Sequence, residues 1–254
     1  MNTKYEFTGE ENEALGRILK RIRAIEDFGD VKAGDIGGWI EKEENLSSKD
    51  SAWVDGNAQV YGDARVYGYA HVSGNAQVYG SARVYGDALV SGNAQVYGSA
   101  RVYGDARVYC DAFVSGNAHV YGNAQVSGNA HVYGNARVYC DAFVSGNAQV
   151  SCNAQVSGNA LVYSNARVYC DAHVSGDAKI TNYRSISIFG NVGSRNETLT
   201  AFEAKSGFKI KVGCFFGTLE EFLKKVEETH GNNKFGKEYK LIAEVIKARF
   251  EEEK

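Results

Sequence analysis

Small and β-branched apolar residues recur with a strict period through the middle of the chain. Alanine occupies every sixth position from Ala52 to Ala178, which makes 22 hexads without an insertion. Valine follows two residues after each alanine from Val54 to Val174, and Ile180 closes the series. Side chains alternate along an extended strand, so Ala and Val face one side and the residues beside them face the other. The pattern therefore predicts a succession of short strands with a buried Ala/Val side.

A turn signal separates each predicted strand from the next. Most hexads continue with Gly-Asn or Gly-Asp, as in Gly74-Asn75, and both residue types tolerate positive φ. The chain has 29 glycines and no proline. Proline is missing because a strand that pairs on both sides needs its backbone N–H groups.

The unit G-[N/D]-A-x-V-[Y/S] resembles the hexapeptide-repeat family, whose fold is a left-handed parallel β-helix with three hexads in each 18-residue coil. The resemblance implies an all-β solenoid of about seven coils over residues 51–181. The segment Asp27–Ile40, with Asn45-Leu46-Ser47 and Ala52-Trp53-Val54, is similar to the N-terminal part of YdcK-type proteins of bacterial and prophage genomes. This similarity implies an extended, strand-rich cap over residues 1–50, although Arg17–Ile25 also fits helical spacing.

Residues 182–254 lack the hexad and predict a small α+β domain that covers the last coil. Two strands are expected at Leu199–Ala204 and Phe208–Gly213. Thr218 and Glu221 form a capping box that opens a first helix, which His230-Gly231 ends. Its predicted apolar face consists of Leu219, Phe222, Leu223 and Val226. A second helix is expected from about Lys237 to Glu251, with the apolar stripe Leu241, Ile242, Val245 and Phe250.

Charge and composition exclude several classes of function. Lys plus Arg number 28 against 31 Asp plus Glu, so a nucleic-acid partner is not expected. No apolar run is long enough for a membrane span, and the first residues do not resemble a secretory signal. Five cysteines without paired spacing suit a reducing compartment. We expect a protein of the bacterial cytoplasm with no cofactor and no metal.

Catalytic residues are not predicted, although many hexapeptide-repeat proteins are acyltransferases. Those enzymes carry a catalytic histidine on a loop that interrupts the helix, whereas no hexad is interrupted here. The histidines of the repeats stand at the outward x position: His71, His119, His131 and His173. Four cysteines replace the corner glycine and are interpreted as small corner residues: Cys110, Cys140, Cys152 and Cys170. An acyltransferase-like enzyme with a CoA or nucleotide-linked donor stays an alternative.

Two features of the C-terminal segment are further candidates for chemistry. Cys214 and His230 could be a nucleophile and a base, but no third member accompanies them, which favours a structural role. The stretch Gly193, Ser194, Arg195 and Asn196 is the best anion-binding loop of the chain. It lacks P-loop spacing, so an inter-domain turn is the competing interpretation.

Sorting the outward positions by the 18-residue coil predicts two chemically biased faces. The Arg/Tyr face carries Arg65, Arg83, Arg101, His119 and Arg137, with Tyr67, Tyr85, Tyr103, Tyr121 and Tyr139 beside them. The Gln/Tyr face carries Gln59, Gln77, Gln95, Phe113, His131, Gln149 and Arg167, with Tyr61, Tyr79, Tyr97, Ser115, Tyr133, Ser151 and Tyr169. Stacked like side chains stabilise a parallel stack by themselves. Adjacent arginines, however, repel one another unless something neutralises them.

These observations favour a non-enzymatic scaffold or interaction protein of phage or prophage type. Arg beside Tyr is enriched at protein interfaces, so the expected partner is a protein, with inhibition of a host enzyme or defence component as a sharper version. Self-association as a homotrimer or dimer, and sequestering of an anionic small ligand or nucleotide, are alternatives. In a third alternative, the C-terminal domain holds an activity around Arg195.

Overall fold

An antiparallel hairpin opens the part of the chain that the computed structural model describes, residues 4–250. It consists of β1 (Tyr5–Ala14) and β2 (Arg17–Ala24), so the extended interpretation of this segment is confirmed. Strand β3 (Ile36–Ile40) pairs antiparallel with β2, and a 3-10 turn follows at Glu43–Asn45.

One short strand follows in each of the 22 hexads. In chain order, β4 to β25 are Trp53–Val54, Gln59–Val60, Arg65–Val66, His71–Val72, Gln77–Val78, Arg83–Tyr85, Leu89–Val90, Gln95–Val96, Arg101–Tyr103, Arg107–Val108, Phe113–Val114, His119–Tyr121, Gln125–Val126, His131–Val132, Arg137–Val138, Phe143–Val144, Gln149–Val150, Gln155–Val156, Leu161–Val162, Arg167–Val168, His173–Val174 and Lys179–Ile180.

Three parallel sheets form the faces of the solenoid. The first has the order β3-β5-β8-β11-β14-β17-β20-β23 with β1 and β2 beyond β3, the second runs from β4 to β25, and the third is β6-β9-β12-β15-β18-β21-β24. Each strand pairs in register with the residue 18 positions later, for example Gln95 with Phe113 and Val96 with Val114. Three hexads per coil and a parallel β-solenoid are therefore confirmed.

The stack begins one turn before the first hexad. Strand β3 lies within the predicted N-terminal cap, yet it pairs in parallel with β5, Trp39 beside Gln59 and Ile40 beside Val60. Leu46 makes a parallel bridge to Val66 on the third face. With this irregular turn the solenoid has about eight coils.

Alanine and valine fill the interior, as the pattern requires. Every repeat Ala and Val is at most 1% exposed. Backbone N–H groups donate to the next coil; Gln95, for example, donates to the Ala112 carbonyl at 2.9 Å. Corner amides add ladders of their own, such as Asn117 to Asn135 at 3.1 Å. Because nearly every N–H is used, a proline would remove a ladder bond.

The corners require the left-handed backbone region. Gly86 has φ 71°, and a Cβ added there would lie 2.9 Å from the backbone N of Gly104 in the next coil. Five corners hold other residues at φ 56–61°: Cys110, Cys140, Cys152, Ser164 and Cys170. All five cysteines of the chain are free and exposed, so the corner cysteines are small residues in strained positions, as the sequence suggested.

A four-stranded antiparallel sheet and two helices cover the last coil. The sheet is β26 (Ile186–Val192), β27 (Glu197–Glu203), β28 (Phe208–Val212) and β29 (Phe215–Gly217), in that spatial order. Ile186 and Phe202 join the solenoid core, whereas Leu199 and Ile210 pack with the helices on the other side of the sheet.

The helices are α1 (Leu219–His230) and α2 (Lys234–Phe250). The capping box of α1 is confirmed, since the Glu221 N–H donates to Thr218 Oγ1 at 3.3 Å and the Thr218 N–H donates to Glu221. The predicted face of α1 is also confirmed, with Phe222 and Val226 buried.

The apolar stripe predicted for α2 is wrong in two places. Leu241 is 70% exposed and Val245 is 54% exposed. The helix instead buries Tyr239, Ala243 and Ile246. The cause is the position of α1 and the sheet, which meet α2 on the face that carries Tyr239, Ala243 and Ile246 and leave Leu241 and Val245 toward solvent. The predicted end of this helix, Glu251, lies outside the described residues.

Candidate functional site

The Arg/Tyr face lies on the third sheet, where parallel pairing stacks its residues in register. Arg65 stands beside Arg83, Arg83 beside Arg101, Arg101 beside His119, and His119 beside Arg137. All four arginines are exposed, and His119 is half-buried. The predicted column is therefore present as a continuous row of side chains on adjacent rungs.

A second column of aromatic rings runs beside the arginines. Tyr67, Tyr85, Tyr103, Tyr121 and Tyr139 stack in sequence with centroid distances of 4.8, 4.9, 4.9 and 5.1 Å and interplanar angles of at most 4°. Each ring is half-buried by its neighbours. Partial burial, followed by the neighbouring tyrosines, raises the pKa of Tyr67 and Tyr103 above the ordinary value. The rings form a flat strip of stacked aromatic side chains beside the arginines.

The arginine column makes no ion pair within the described part of the chain, although the charge of Arg65 acts on Asp63. None of its four arginines makes an ion pair with a carboxylate of residues 4–250. Corner carboxylates stand on both sides of the column, and Asp87, Asp105 and Asp141 follow an arginine by four residues without pairing with it. Asp63 and Asp171, on the preceding side, are engaged elsewhere. Asp63 pairs with Lys42 at 3.0 Å, and Asp171 accepts a hydrogen bond from Asn153 at 2.9 Å. The middle corners that precede the column residues carry Ser or Asn.

A depression that contains acidic residues adjoins the N-terminal end of the column. Glu43 and Glu44 share a shallow depression of about 630 Å³ with Arg65, Tyr67 and Arg83. Neither glutamate comes within ion-pair distance of either arginine. The depression gives this end of the face a concave rim, while the rest of the column faces solvent.

The positive charges of the column affect the imidazole of His119. Burial lowers the pKa of its imidazole, and the charges of Arg101 and Arg137 lower it further. Its ring meets Tyr103 edge-on with centroids 6.1 Å apart. At neutral pH the imidazole is therefore uncharged, so one rung of the column presents a neutral donor and acceptor between two cations.

The Gln/Tyr face is partly self-supporting. Tyr61, Tyr79 and Tyr97 stack at 5.1 and 5.0 Å, and Tyr79 donates a hydrogen bond to Gln95 at 3.3 Å. Phe113 and His131 stack at 4.7 Å in the next rungs. Tyr61 is buried at 3% exposure under the N-terminal strands. The N-terminal half of this face, from Tyr61 to Tyr97, therefore resembles a stabilising ladder more than a free surface.

Comparison with known proteins supports the repeat assignment. The family model described as the YdcK β-solenoid repeat matches residues 58–74, 76–92, 82–98, 112–128, 124–140 and 154–170. A protein of Escherichia coli (strain K12) named uncharacterized acetyltransferase YdcK is 40% identical over 57 residues. That match covers 22% of this chain and 18% of the relative, so the chain spans less than two thirds of the relative's length.

The central part of the chain is therefore similar to YdcK-type β-solenoid repeats. The matched residues lie within the solenoid, and the C-terminal sheet and helices fall outside them. All residues of the Arg/Tyr face therefore belong to, or stand between, YdcK-type repeats.

The histidines of the YdcK-type repeats do not converge. His71, His119, His131 and His173 lie on β7, β15, β17 and β24, which belong to three different sheets. His173 is half-buried below the C-terminal sheet, and its lowered pKa follows from burial and then from Lys211. Within residues 4–250, no group of three potential metal ligands is assembled, and no helix is long and apolar enough to cross a membrane.

The predicted anion loop forms the tip of the β26–β27 hairpin, so the inter-domain interpretation of it is wrong. The Gly193 N–H donates to the Glu238 carboxylate at 2.9 Å. The Tyr239 ring packs so closely against Gly193 that no side chain would fit there. An internal carboxylate thus already occupies this N–H, while Ser194, Arg195 and Asn196 are exposed.

The structure brings together three residues that the sequence suggested separately. Arg195, Cys214 and His230 all line one cavity of about 670 Å³ between the hairpin tip and α1. Phe222 and Tyr239 form part of its wall, and Lys225 contributes a second cation. Sequence reasoning missed Lys225 and Tyr239, since they lie on different helices and no motif relates them.

Proposed function

We propose that the chain is an interaction scaffold that binds a protein partner through the Arg/Tyr face. The observation that supports this most is an exposed column of arginines that make no ion pair within residues 4–250: Arg65, Arg83, Arg101 and Arg137. If the column served the fold alone, neutral residues or alternating charges would make the fold more stable, because like charges on adjacent rungs repel. Retaining such a column is understandable where a partner supplies the negative charge.

The chemistry of the face indicates an acidic and flat partner surface. Arginine forks bind carboxylates in bidentate geometry, and stacked tyrosines offer rigid contact area with little loss of side-chain entropy. The rungs repeat every 4.8–5.1 Å along the tyrosine column. The Gln/Tyr face adds a second, more polar contact surface.

The resemblance to prophage-type repeat proteins indicates where the partner would be found. We place the partner in the bacterial cytoplasm, where it is a host enzyme or defence component that binding would inhibit. Five free cysteines, four of them at exposed corners, support a reducing compartment.

A capture experiment with charge-reversed variants tests the proposal. The intact protein should retain a partner from host lysate that Arg83→Glu with Arg101→Glu loses entirely. Arg107→Glu is the matched control, because Arg107 stands between Leu89 and Gln125 on another sheet. Binding that survives the double variant would refute the role of the face. Sedimentation at several concentrations decides whether the partner is a second copy of the chain.

Acetyl transfer is a second candidate function, favoured by the name of the Escherichia coli relative. For this chain it requires an acyl donor and a base, and His119 is the candidate base because its pKa is lowered beside Arg101 and Arg137. Equilibrium dialysis with acetyl-CoA, ATP and UDP-sugars tests the donor. Retention of acetyl-CoA that Arg101→Glu abolishes would favour the enzyme, and retention of a nucleotide alone would favour sequestering of an anionic ligand.

A further inference from the structure

The last rung of the Gln/Tyr face has an open edge. In the rung below it, the Gln149 N–H donates to the Ala166 carbonyl and the Ser151 N–H donates to the Val168 carbonyl, both at 2.9 Å. In the last strand, β23, the N–H groups of Arg167 and Tyr169 donate to no residue of the described range. Two strand donors therefore point beyond the end of this sheet.

The C-terminal cap covers the other two faces. On the Arg/Tyr face, the His173 N–H donates to Thr200 Oγ1 of β27 at 3.1 Å. On the remaining face, the Thr181 N–H donates to Ser185 Oγ at 3.4 Å. The cap thus accepts from one donor on each neighbouring face and from neither Arg167 nor Tyr169 of β23, which leaves an exposed edge of the kind that invites pairing.

A second open edge faces the same space. Strand β26 is the outer strand of the C-terminal sheet. The Glu203 N–H donates to the Ser185 carbonyl at 2.9 Å, which makes this a hydrogen-bonded pair of the β26–β27 ladder. Because such pairs alternate, Ser187 also turns its backbone groups toward β27, while the N–H and C=O of Ile188 point away from the sheet.

The two edges border one groove of about 660 Å³. Its lining includes Arg167 and Tyr169 on the solenoid side and four consecutive residues, Ile186–Phe189, on the other. Successive side chains of a strand point to opposite faces of the sheet. Four consecutive residues can therefore line the same groove only if the groove runs along the edge of the strand. We name this groove the edge slot.

The side chains around the edge slot are cationic and apolar. Arg167 and Arg249 line it without any lining carboxylate, and the Arg249 guanidinium is held by a hydrogen bond from Nη2 to the Tyr183 carbonyl at 3.0 Å. Tyr169, Tyr183 and Val245 line it at 48%, 67% and 54% exposure. The slot therefore combines free strand donors, exposed apolar contacts and two positive charges.

We propose that the edge slot binds an extended peptide segment of a partner protein by β-strand addition. The peptide carbonyls accept from the N–H groups of Arg167 and Tyr169, and the peptide continues the stack as the next rung. Acidic side chains of the peptide pair with Arg167 and Arg249, while its apolar side chains contact Val245 and Tyr183. This site is separate from the Arg/Tyr face and does not depend on the function proposed for that face.

Selection from a displayed library of random 12-residue peptides tests the proposal, followed by polarisation titrations with the best peptide carrying fluorescein. Enriched sequences should alternate apolar residues with Asp or Glu. Tyr169→Pro removes the N–H donor, whereas Tyr169→Ala removes the ring and keeps the donor. The proline variant should bind at least tenfold more weakly than the alanine variant, and proline is tolerated where the N–H is unpaired.

A second pair of variants guards against misfolding of the proline variant. Val245→Asp should weaken binding at least tenfold by repelling the acidic peptide, and Leu241→Asp, one turn away and outside the slot, should not. Arg83→Glu with Arg101→Glu should bind the peptide normally, which separates this site from the Arg/Tyr face. Hydrogen exchange at Ile188 should slow in the complex.

Three results would overturn the proposal. The library yields no enriched peptide, or the selected peptide binds Tyr169→Pro and Val245→Asp as well as the intact protein. Alternatively, sedimentation shows a concentration-dependent dimer that Val245→Asp dissociates, in which case a second copy of the chain occupies the slot.

Discussion

Replacement of Arg83 by glutamine separates a face that evolved for binding from one that merely supports the fold. Arg83 lies between Arg65 and Arg101 on adjacent rungs of the same sheet. No carboxylate of residues 4–250 pairs with any of the three. Removing the central charge therefore removes two repulsive contacts, and we expect Arg83→Gln to stabilise the protein.

The size of the gain follows from the rung spacing. The tyrosines beside these arginines are 4.8 and 4.9 Å apart, and we use this rung spacing as the distance between successive charges, so that the energies below are upper bounds for exposed side chains. Two unit charges at this distance in water repel by about 0.8 kcal/mol. With a Debye length of ~8 Å at physiological salt, the two contacts of Arg83 together amount to ~0.9 kcal/mol. In ~1 M salt, where the Debye length is ~3 Å, the sum falls to ~0.3 kcal/mol.

Urea unfolding at both salt concentrations measures this gain. Arg107→Gln is the control, since it makes the same change of side chain beside the neutral residues Leu89 and Gln125. We expect the control to show no gain in the free energy of unfolding, because Arg107 has neutral rung neighbours and follows Asp105 by two residues. Urea is preferred to guanidinium because it leaves the ionic strength unchanged.

A destabilised Arg83→Gln variant would refute the reasoning, because it would mean that the arginine ladder supports the fold through stacking of its guanidinium groups. Equal effects of Arg83→Gln and Arg107→Gln would refute it as well, since the column would then carry no unfavourable field. A gain in stability accompanied by loss of the captured partner would instead show a stability cost maintained for binding.

Two further measurements examine the tyrosine columns and the electrostatic effect of the arginine column on His119. Burial, then Tyr79, raises the pKa of Tyr61 to about 12, and its buried hydroxyl has no partner among the described residues. In the unfolded state the Tyr61 hydroxyl ionises near pH ~10. The folded state therefore keeps its full stability below that pH, and the free energy of unfolding falls as the pH rises from there toward 12. Tyr61→Phe should raise the free energy of unfolding at pH 8 by about 1 kcal/mol and reduce the alkaline loss; a less stable variant would contradict this. Arg101→Gln should raise the pKa of His119 in an NMR titration, and an unchanged value would show that the charge of Arg101 does not contribute to the lowering.

The sequence predicted the solenoid almost completely because its contacts are local and periodic. Once Ala52 to Ala178 repeat every six residues, strand alternation places Ala and Val inside and assigns each outward residue to a face. The stack of Tyr85 on Tyr103 and the register of Arg83 beside Arg101 follow from the same 18-residue spacing. The first helix was also predictable, since Thr218 and Glu221 form a local capping box.

Segments without a repeat were predicted less well. The rotation of α2 is decided by where α1 and the sheet meet it, so Leu241 and Val245 were wrongly placed in the core. The cavity that gathers Arg195, Cys214 and His230 depends on the packing of a hairpin tip against a helix. Neither arrangement follows from spacing along the chain.

The sequence by itself determined the repeat, the composition of each face and the presence of an arginine column, because nearest-neighbour rungs lie a constant 18 residues apart. Only the tertiary structure decided whether that column is neutralised and which edge stays open. The pairing of Asp63 with Lys42 and the capping of His173 by Thr200 join the repeats to segments outside them. Such contacts depend on how the caps fold onto the ends of the stack, and no period along the chain specifies that.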